Sequence, residues 1–262
     1  MYPFLIPLVY TYITRLRTIS ALVSWGGIYI VLLFIFIFFD SEYVNSSNLT
    51  VFILSIILVY NNYEIGYIYN DSETIKKEKK PTLRLGELAL SIYENKKCYI
   101  YIERILISLC LSFLLVQYFS VGVIFVISAW LILPVFIVYN SIRNRFNLIL
   151  HFILVMLRYG CPVLIVVKPQ DIIPLLIGVS LIFPIANLIE RCSEKRFDLG
   201  IFRDRYFNKN IWRVIYYSIM TIAIFMYIYP DFARGGSLLA CCIYMLLYRF
   251  FSPLVINRSF KS

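Results

Sequence analysis

Apolar residues in this chain come in blocks close to the ~20 residues that a helix needs to cross the hydrocarbon core of a bilayer. The short alternating segments of an outer-membrane barrel are missing. The blocks predict spans at 21–39, 49–69, 98–118, 121–139, 148–167, 172–190, 211–229 and 237–253, with ends uncertain by roughly two to four residues. This gives an all-α, polytopic transmembrane bundle of about eight helices, with seven or nine as alternatives. Two ends are weak. Arg249 interrupts the last block, and residues 1–13 are apolar enough to lie in the membrane interface or to lengthen the first helix.

Composition agrees, since 61% of residues are hydrophobic, far above a soluble domain. The chain reads as one domain with no internal repeat. The first forty residues do not read as a cleaved signal peptide, because the apolar run is too long and no small-residue cleavage site follows.

Charge gives the orientation. With the N-terminus inside, the cytoplasmic segments and their flanking helix ends hold Arg15, Arg17, the basic residues between Lys76 and Arg104, Arg143, Arg145, those between Arg191 and Arg213, Arg249, Arg258 and Lys261. Lys168 and Arg234 fall outside, and Arg158 sits mid-span. Both termini are therefore expected in the cytoplasm. The net charge of +10 is explained by this topology and by attraction to anionic membrane lipids, with no nucleic-acid partner expected.

The six cysteines show no C-x-x-C spacing and read as packing residues, so neither a zinc site nor a disulfide framework is expected. Glycosylation-type triplets begin at Asn45 and Asn48 and carry little weight. Gly26-Gly27 and Gly235-Gly236 fit helix packing or a turn better than a phosphate loop. Pro134, Pro162 and Pro184 fall inside spans, without the paired arrangement in two halves that a transporter predicts.

Two long polar stretches, 71–97 and 191–210, follow the second and sixth predicted helices. Each begins with carboxylates at a helix end and runs on into Lys and Arg. A diphosphate handled through Mg²⁺ needs both: carboxylate oxygens for the metal, and cations for the phosphate oxygens left uncovered. In the first stretch Asp71 and Glu78, seven residues apart, return to nearly the same helix face, with Thr74 between them. In the second, Glu190 and Glu194 are spaced i, i+4, and Asn187 lies one turn earlier. The lone His151 leaves little material for a zinc or iron site.

At these residues the sequence resembles the UbiA superfamily of intramembrane prenyltransferases, whose first signature is N-D-x-x-D-x-x-x-D followed by a Lys/Pro/Arg segment. Asn70, Asp71 and Glu78 match with one Asp to Glu exchange, Thr74 replaces an acidic position, and Pro81, Arg84 and Leu85 resemble the downstream segment. The second signature, D-x-x-x-D, corresponds to Glu190 and Glu194. The resemblance implies a helical bundle around a cavity open to the cytoplasmic side. There Mg²⁺ would hold an isoprenoid diphosphate while a small-molecule acceptor attacks its C1 carbon.

Carried over, Asn70, Asp71, Glu78, Glu190 and Glu194 would hold the metal, with Asp71 and Glu190 catalytic. Lys79, Lys80, Arg84 and Lys195 are candidates for screening the leaving diphosphate, and Asn187 joins them in binding substrate. Some UbiA relatives resemble transferases that move phosphoribose from its diphosphate donor onto a polyprenyl phosphate lipid, which stands as an alternative. A non-catalytic or transport role is the second alternative, because charged residues at cytoplasmic helix ends often do no more than solvate the end.

Glu64, with Asn61 and Asn62, falls inside the second span, where a charge is costly and needs a partner; Arg158 is the most obvious one in the sequence. His151 reads as a residue hydrogen-bonded to a neighbouring helix rather than as a base. Glu73 is a possible substitute for the missing charge at Thr74, although on a regular helix it points about 100° away.

Overall fold

The computed structural model describes residues 2–39, 41–77, 82–142, 144–170, 172–194, 197, 199, 208–228 and 235–259. Every regular element among them is helical: α1 (Tyr2–Leu5), α2 (Val9–Arg15), α3 (Ile19–Phe38), α4 (Ser46–Ser72), α5 (Glu87–Gln117), α6 (Val123–Ser141), α7 (Asn147–Val167), α8 (Ile172–Ile182), α9 (Pro184–Cys192), α10 (Lys209–Ile228) and α11 (Gly236–Ser259). The eight predicted blocks are thus helical among the described residues. Six helices are long and apolar enough to cross a membrane: α3, α4 with the turn after it, α5, α6, α7 and α10. The bent pair α8–α9 makes a seventh if taken as one span, and the apolar part of α11, Gly236–Phe251, is shorter. These helices make the chain an integral, multi-pass membrane protein.

Three local departures from the predicted pattern have physical reasons. Residues 1–13 neither lengthen the first span nor form one helix, because the turn between α1 and α2 contains Pro7 and places Leu8 in the left-handed region at φ 71°. The polar run before the third predicted span is itself helical. It starts α5 at Glu87, whose charge suits a helix N-terminus, and breaks at Lys96 (φ −130°, ψ 17°) where the apolar part begins.

The third departure is the sixth predicted span, which bends by 49° between α8 and α9. Pro184 opens α9 and has no N–H to continue the ladder, and it disfavours helical geometry at Phe183, which sits at φ −153°. The bend leaves carbonyls near the end of α8 without their usual partners. Tyr216 and Tyr217 of α10 supply them, donating to the carbonyls of Leu181 at 2.8 Å and Ile182 at 2.9 Å. In lipid, where no water is at hand to satisfy such carbonyls, two adjacent phenols in register are an economical solution.

The chain separates into two compact units, Met1–Leu22 with Asn45–Lys168 and Val23–Val44 with Pro169–Ser262. The core of the first is α4, buried along most of its length. Gly66 lets α6 come close: a Cβ there would lie 2.3 Å from the Phe136 ring, and Asn140 donates to the Gly66 carbonyl at 3.2 Å. The Tyr63 phenol donates to the Leu154 carbonyl of α7. Phe4, Tyr10, Ile68, Tyr93 and Ile100 form a buried cluster that seats α1 and α2 on α4 and α5.

In the second unit, α10 and α11 pair through Ile224, Ile228, Leu239 and Cys242. Gly27 packs against Tyr244 and Tyr248, and the Tyr244 phenol donates to the Gly27 carbonyl at 3.1 Å. Gly27 thus serves packing, whereas a Cβ at Gly26 would meet nothing within 4 Å among the described residues. Cys161, Cys241 and Cys242 are buried.

Candidate functional site

Asp71 lies in the last turn of α4, and its side chain is 1% exposed. Its carboxylate is surrounded by donors from three separate segments. Arg15, at the end of α2, binds it with two parallel bonds, Nη1 to Oδ2 at 2.7 Å and Nη2 to Oδ1 at 3.0 Å. Arg84, in the stretch before α5, donates to Oδ1 at 3.2 Å. The Tyr10 phenol donates to Oδ2 at 2.9 Å, and the Asn70 amide to Oδ1 at 3.3 Å.

Each cation is held in turn. The Arg15 guanidinium stands 3.9 Å from the centre of the Tyr67 ring and also donates to the Thr14 hydroxyl at 2.6 Å. Arg17 donates to the backbone carbonyl of Arg84 at 2.6 Å, tying that loop to the end of α2. Burial and the neighbouring Asp71 charge push the Tyr10 phenol well above its ordinary value, so it remains a neutral donor. Burial opposes the charge on Arg15, but its bonds to Asp71 together with the electrostatic pull of Tyr67, Asp71 and Tyr10 raise its pKa. Two guanidiniums on one carboxylate leave a surplus of one positive charge at this helix end.

The neighbouring motif positions go elsewhere. Glu73, at the end of α4, accepts from Lys76 at 2.9 Å and from the Tyr93 phenol at 3.0 Å, and Lys76 also meets Glu94 at 2.5 Å. Glu73 thus belongs to a separate cluster with α5. Thr74 is buried, and its hydroxyl has no hydrogen-bond partner among the described residues. Glu78, Lys79, Lys80 and Pro81 lie outside the described residues. An open pocket of 660 Å³ beside the break in α5 is lined by residues 94–99 and by none of the acidic-motif residues.

The second unit holds its motif carboxylate in a similar way. Both oxygens of Glu190 accept from Arg213, at 2.7 Å from Nε and 2.8 Å from Nη2, and Arg213 is steadied by Asn210 at 3.3 Å. Glu194 pairs with Arg191 at 3.1 Å, one turn along. The Asn187 backbone N–H bonds to the Phe183 carbonyl at 3.0 Å, across the bend between α8 and α9. Lys195 lies outside the described residues.

A Mg²⁺ ion needs carboxylate edges open to it. Both oxygens of Asp71 and of Glu190 already accept from guanidinium groups, and among the described residues no three His, Cys, Asp or Glu side chains come together. In this arrangement the carboxylates of Asp71 and Glu190 are taken up by cations on side chains.

The intramembrane charge has a partner that the sequence does not single out. Glu64 pairs with Arg104 of α5 at 2.8 Å, both fully buried, and not with Arg158. The Arg158 guanidinium instead lies over aromatic faces, 5.5 Å from the centre of the Tyr63 ring and 5.6 Å from that of Tyr159. Around the Glu64–Arg104 pair runs a polar ladder. Arg104 donates to the Asn61 side chain at 2.7 Å, the Asn61 amide donates to the Ser108 hydroxyl at 2.8 Å, Ser108 donates to Asn62 at 2.5 Å, and Asn62 donates to the Ala129 carbonyl at 2.9 Å. Three helices are joined by these bonds. His151 lies beside Tyr139, ring centres 6.1 Å apart.

No protein family matches the chain, and no curated protein or solved structure is detectably similar to it. The likeness to the UbiA superfamily therefore rests on the two motifs alone.

Proposed function

We propose that this membrane protein is a transferase acting on a diphosphate ester. In this reading, which follows the UbiA resemblance, it moves an isoprenyl group from a prenyl diphosphate to an acceptor. The observation that carries the proposal is the convergence of Arg15 and Arg84 on Asp71 at the end of a span, next to Asn70. Planar guanidiniums match the paired oxygens of phosphate groups, and a site with one more cation than anion is complementary to a diphosphate. The surplus charge would stabilise the diphosphate as the bond from its oxygen to C1 breaks and the acceptor bonds to C1. The apolar helices around that end would receive the prenyl chain and keep water from the electron-poor carbon. In this reading this end and both termini lie on the cytoplasmic side, which the distribution of Lys and Arg supports.

Because the described carboxylates are closed by arginines, no step is routed through a metal, and Mg²⁺ enters as a variable of the test. Purified protein in lipid nanodiscs is incubated with labelled prenyl diphosphate or labelled phosphoribosyl diphosphate, a lipid extract, and either Mg²⁺ or a chelator. Label from the prenyl donor appearing in a new organic-phase product supports the reading. Label from the phosphoribosyl donor appearing there instead selects transfer to a polyprenyl phosphate.

One observation favours a non-catalytic reading. Asp71 is almost fully buried and saturated by donors, as expected of a bracket that fastens α2 and the Arg84 loop to α4. No product from either donor under any metal condition would select that reading.

A further inference from the structure

The N-terminal pair α1–α2 is attached at two places on α4, and the two attachments share no residue. At one, Glu64 accepts from the backbone N–H groups of Leu8 at 3.0 Å and Thr11 at 2.6 Å, which are free donors at the start of α2. Its partner Arg104 donates to the carbonyl of Phe4 at 2.7 Å, near the end of α1, and to that of Ile6 at 3.2 Å, in the turn, which also accepts from the Val9 N–H at 3.3 Å. One buried ion pair therefore satisfies both sides of the turn, its anion the N–H groups and its cation the carbonyls. At the other attachment, Tyr10 and Arg15 bind Asp71, seven residues further along the same helix. At the first attachment Leu8 is held in the left-handed region at φ 71°, a conformation that a leucine keeps when its surroundings over-determine it.

We propose that α1–α2 is a docked clip, seated as one piece on the Glu64–Arg104 pair, and that this seating delivers to Asp71 the phenol and the bidentate arginine that hold it. The pair inside the span controls the composition of the cluster at its end, although neither member touches Asp71. The proposal concerns the assembly of the cluster and stands whether or not the protein is a transferase.

Amide hydrogen exchange on the full-length protein in nanodiscs tests it, comparing wild type with Glu64→Gln, Arg104→Lys and Arg15→Gln. Arg104→Lys keeps a cation opposite Glu64 but cannot reach both carbonyls, so it remains informative if Glu64→Gln fails to accumulate. A clip that leaves as one piece predicts that Glu64→Gln or Arg104→Lys speeds exchange about ten-fold or more through residues 4–15. Arg15→Gln should likewise speed the Leu8 and Thr11 amides, which Arg15 does not contact, while amides of α7 keep their wild-type rates. Acceleration confined to each altered bond, no acceleration, or equal acceleration in α7 would overturn the proposal.

Discussion

Glu64 and Arg104 meet at 2.8 Å with neither side chain exposed, and they do so from helices that also share the Asn61 and Ser108 side chains. Breaking such a pair leaves an uncompensated charge in an apolar interior, at a cost of about 3–5 kcal/mol. Arg104→Ala is expected to lower the thermal midpoint sharply in detergent. The double change Glu64→Gln with Arg104→Met, which leaves no charge behind, should recover much of that loss. A midpoint for Arg104→Ala equal to wild type would refute the pairing.

Asp71→Asn is expected to affect stability as well as any turnover. Its side chain is buried against two guanidiniums. Because Arg15 and Arg84 reach partly into solvent, the expected loss is about 1–3 kcal/mol, below that of a fully buried pair. Thermal unfolding of Asp71→Asn, Arg15→Gln and the double variant measures it. The double variant should be no less stable than the sum of the two single losses predicts, and most of the second loss should vanish.

Gly66→Ala places a methyl group 2.3–2.6 Å from three atoms of the Phe136 ring. Overpacking of this kind costs about 1–3 kcal/mol. A companion change of Phe136→Leu should restore part of it. Unaltered unfolding of Gly66→Ala would show that α4 and α6 are not in close contact.

Tyr216→Phe and Tyr217→Phe each remove a donor from a carbonyl at the end of α8. Each is expected to cost about 1 kcal/mol, with the isosteric ring still filling its space. Reversing the bend with Pro184→Ala should make Tyr216→Phe less costly, since a straight helix would offer the Leu181 carbonyl the Ile185 N–H in place of the phenol. Unfolding midpoints of the four variants decide this.

The helices were legible because membrane spans announce themselves in one variable, a run of apolar residues long enough to cross. The bend at Pro184 and the break at Lys96 were not, since the same proline occurs without a comparable bend within α7 at Pro162, and a lysine at a helix break has no signature. At the candidate site Asn70, Asp71 and Arg84, singled out by their spacing, lie together. Its chief cation, Arg15, lay 56 residues away and read as a topology marker. Arg213, opposite Glu190, was hidden in the same way. Glu64 was recognised as needing a partner, yet charge counting cannot choose between Arg104 and Arg158. That choice depends on which residues face each other once α4 and α5 pack, a pairing that no local pattern records.

The clip formed by α1 and α2 also constrains the order of synthesis. Residues 4–15 are made before the groups that hold their turn, Glu64 following them by about fifty to sixty residues and Arg104 by about ninety to a hundred. That turn can therefore be held only once the two later helices that carry them have been made and paired.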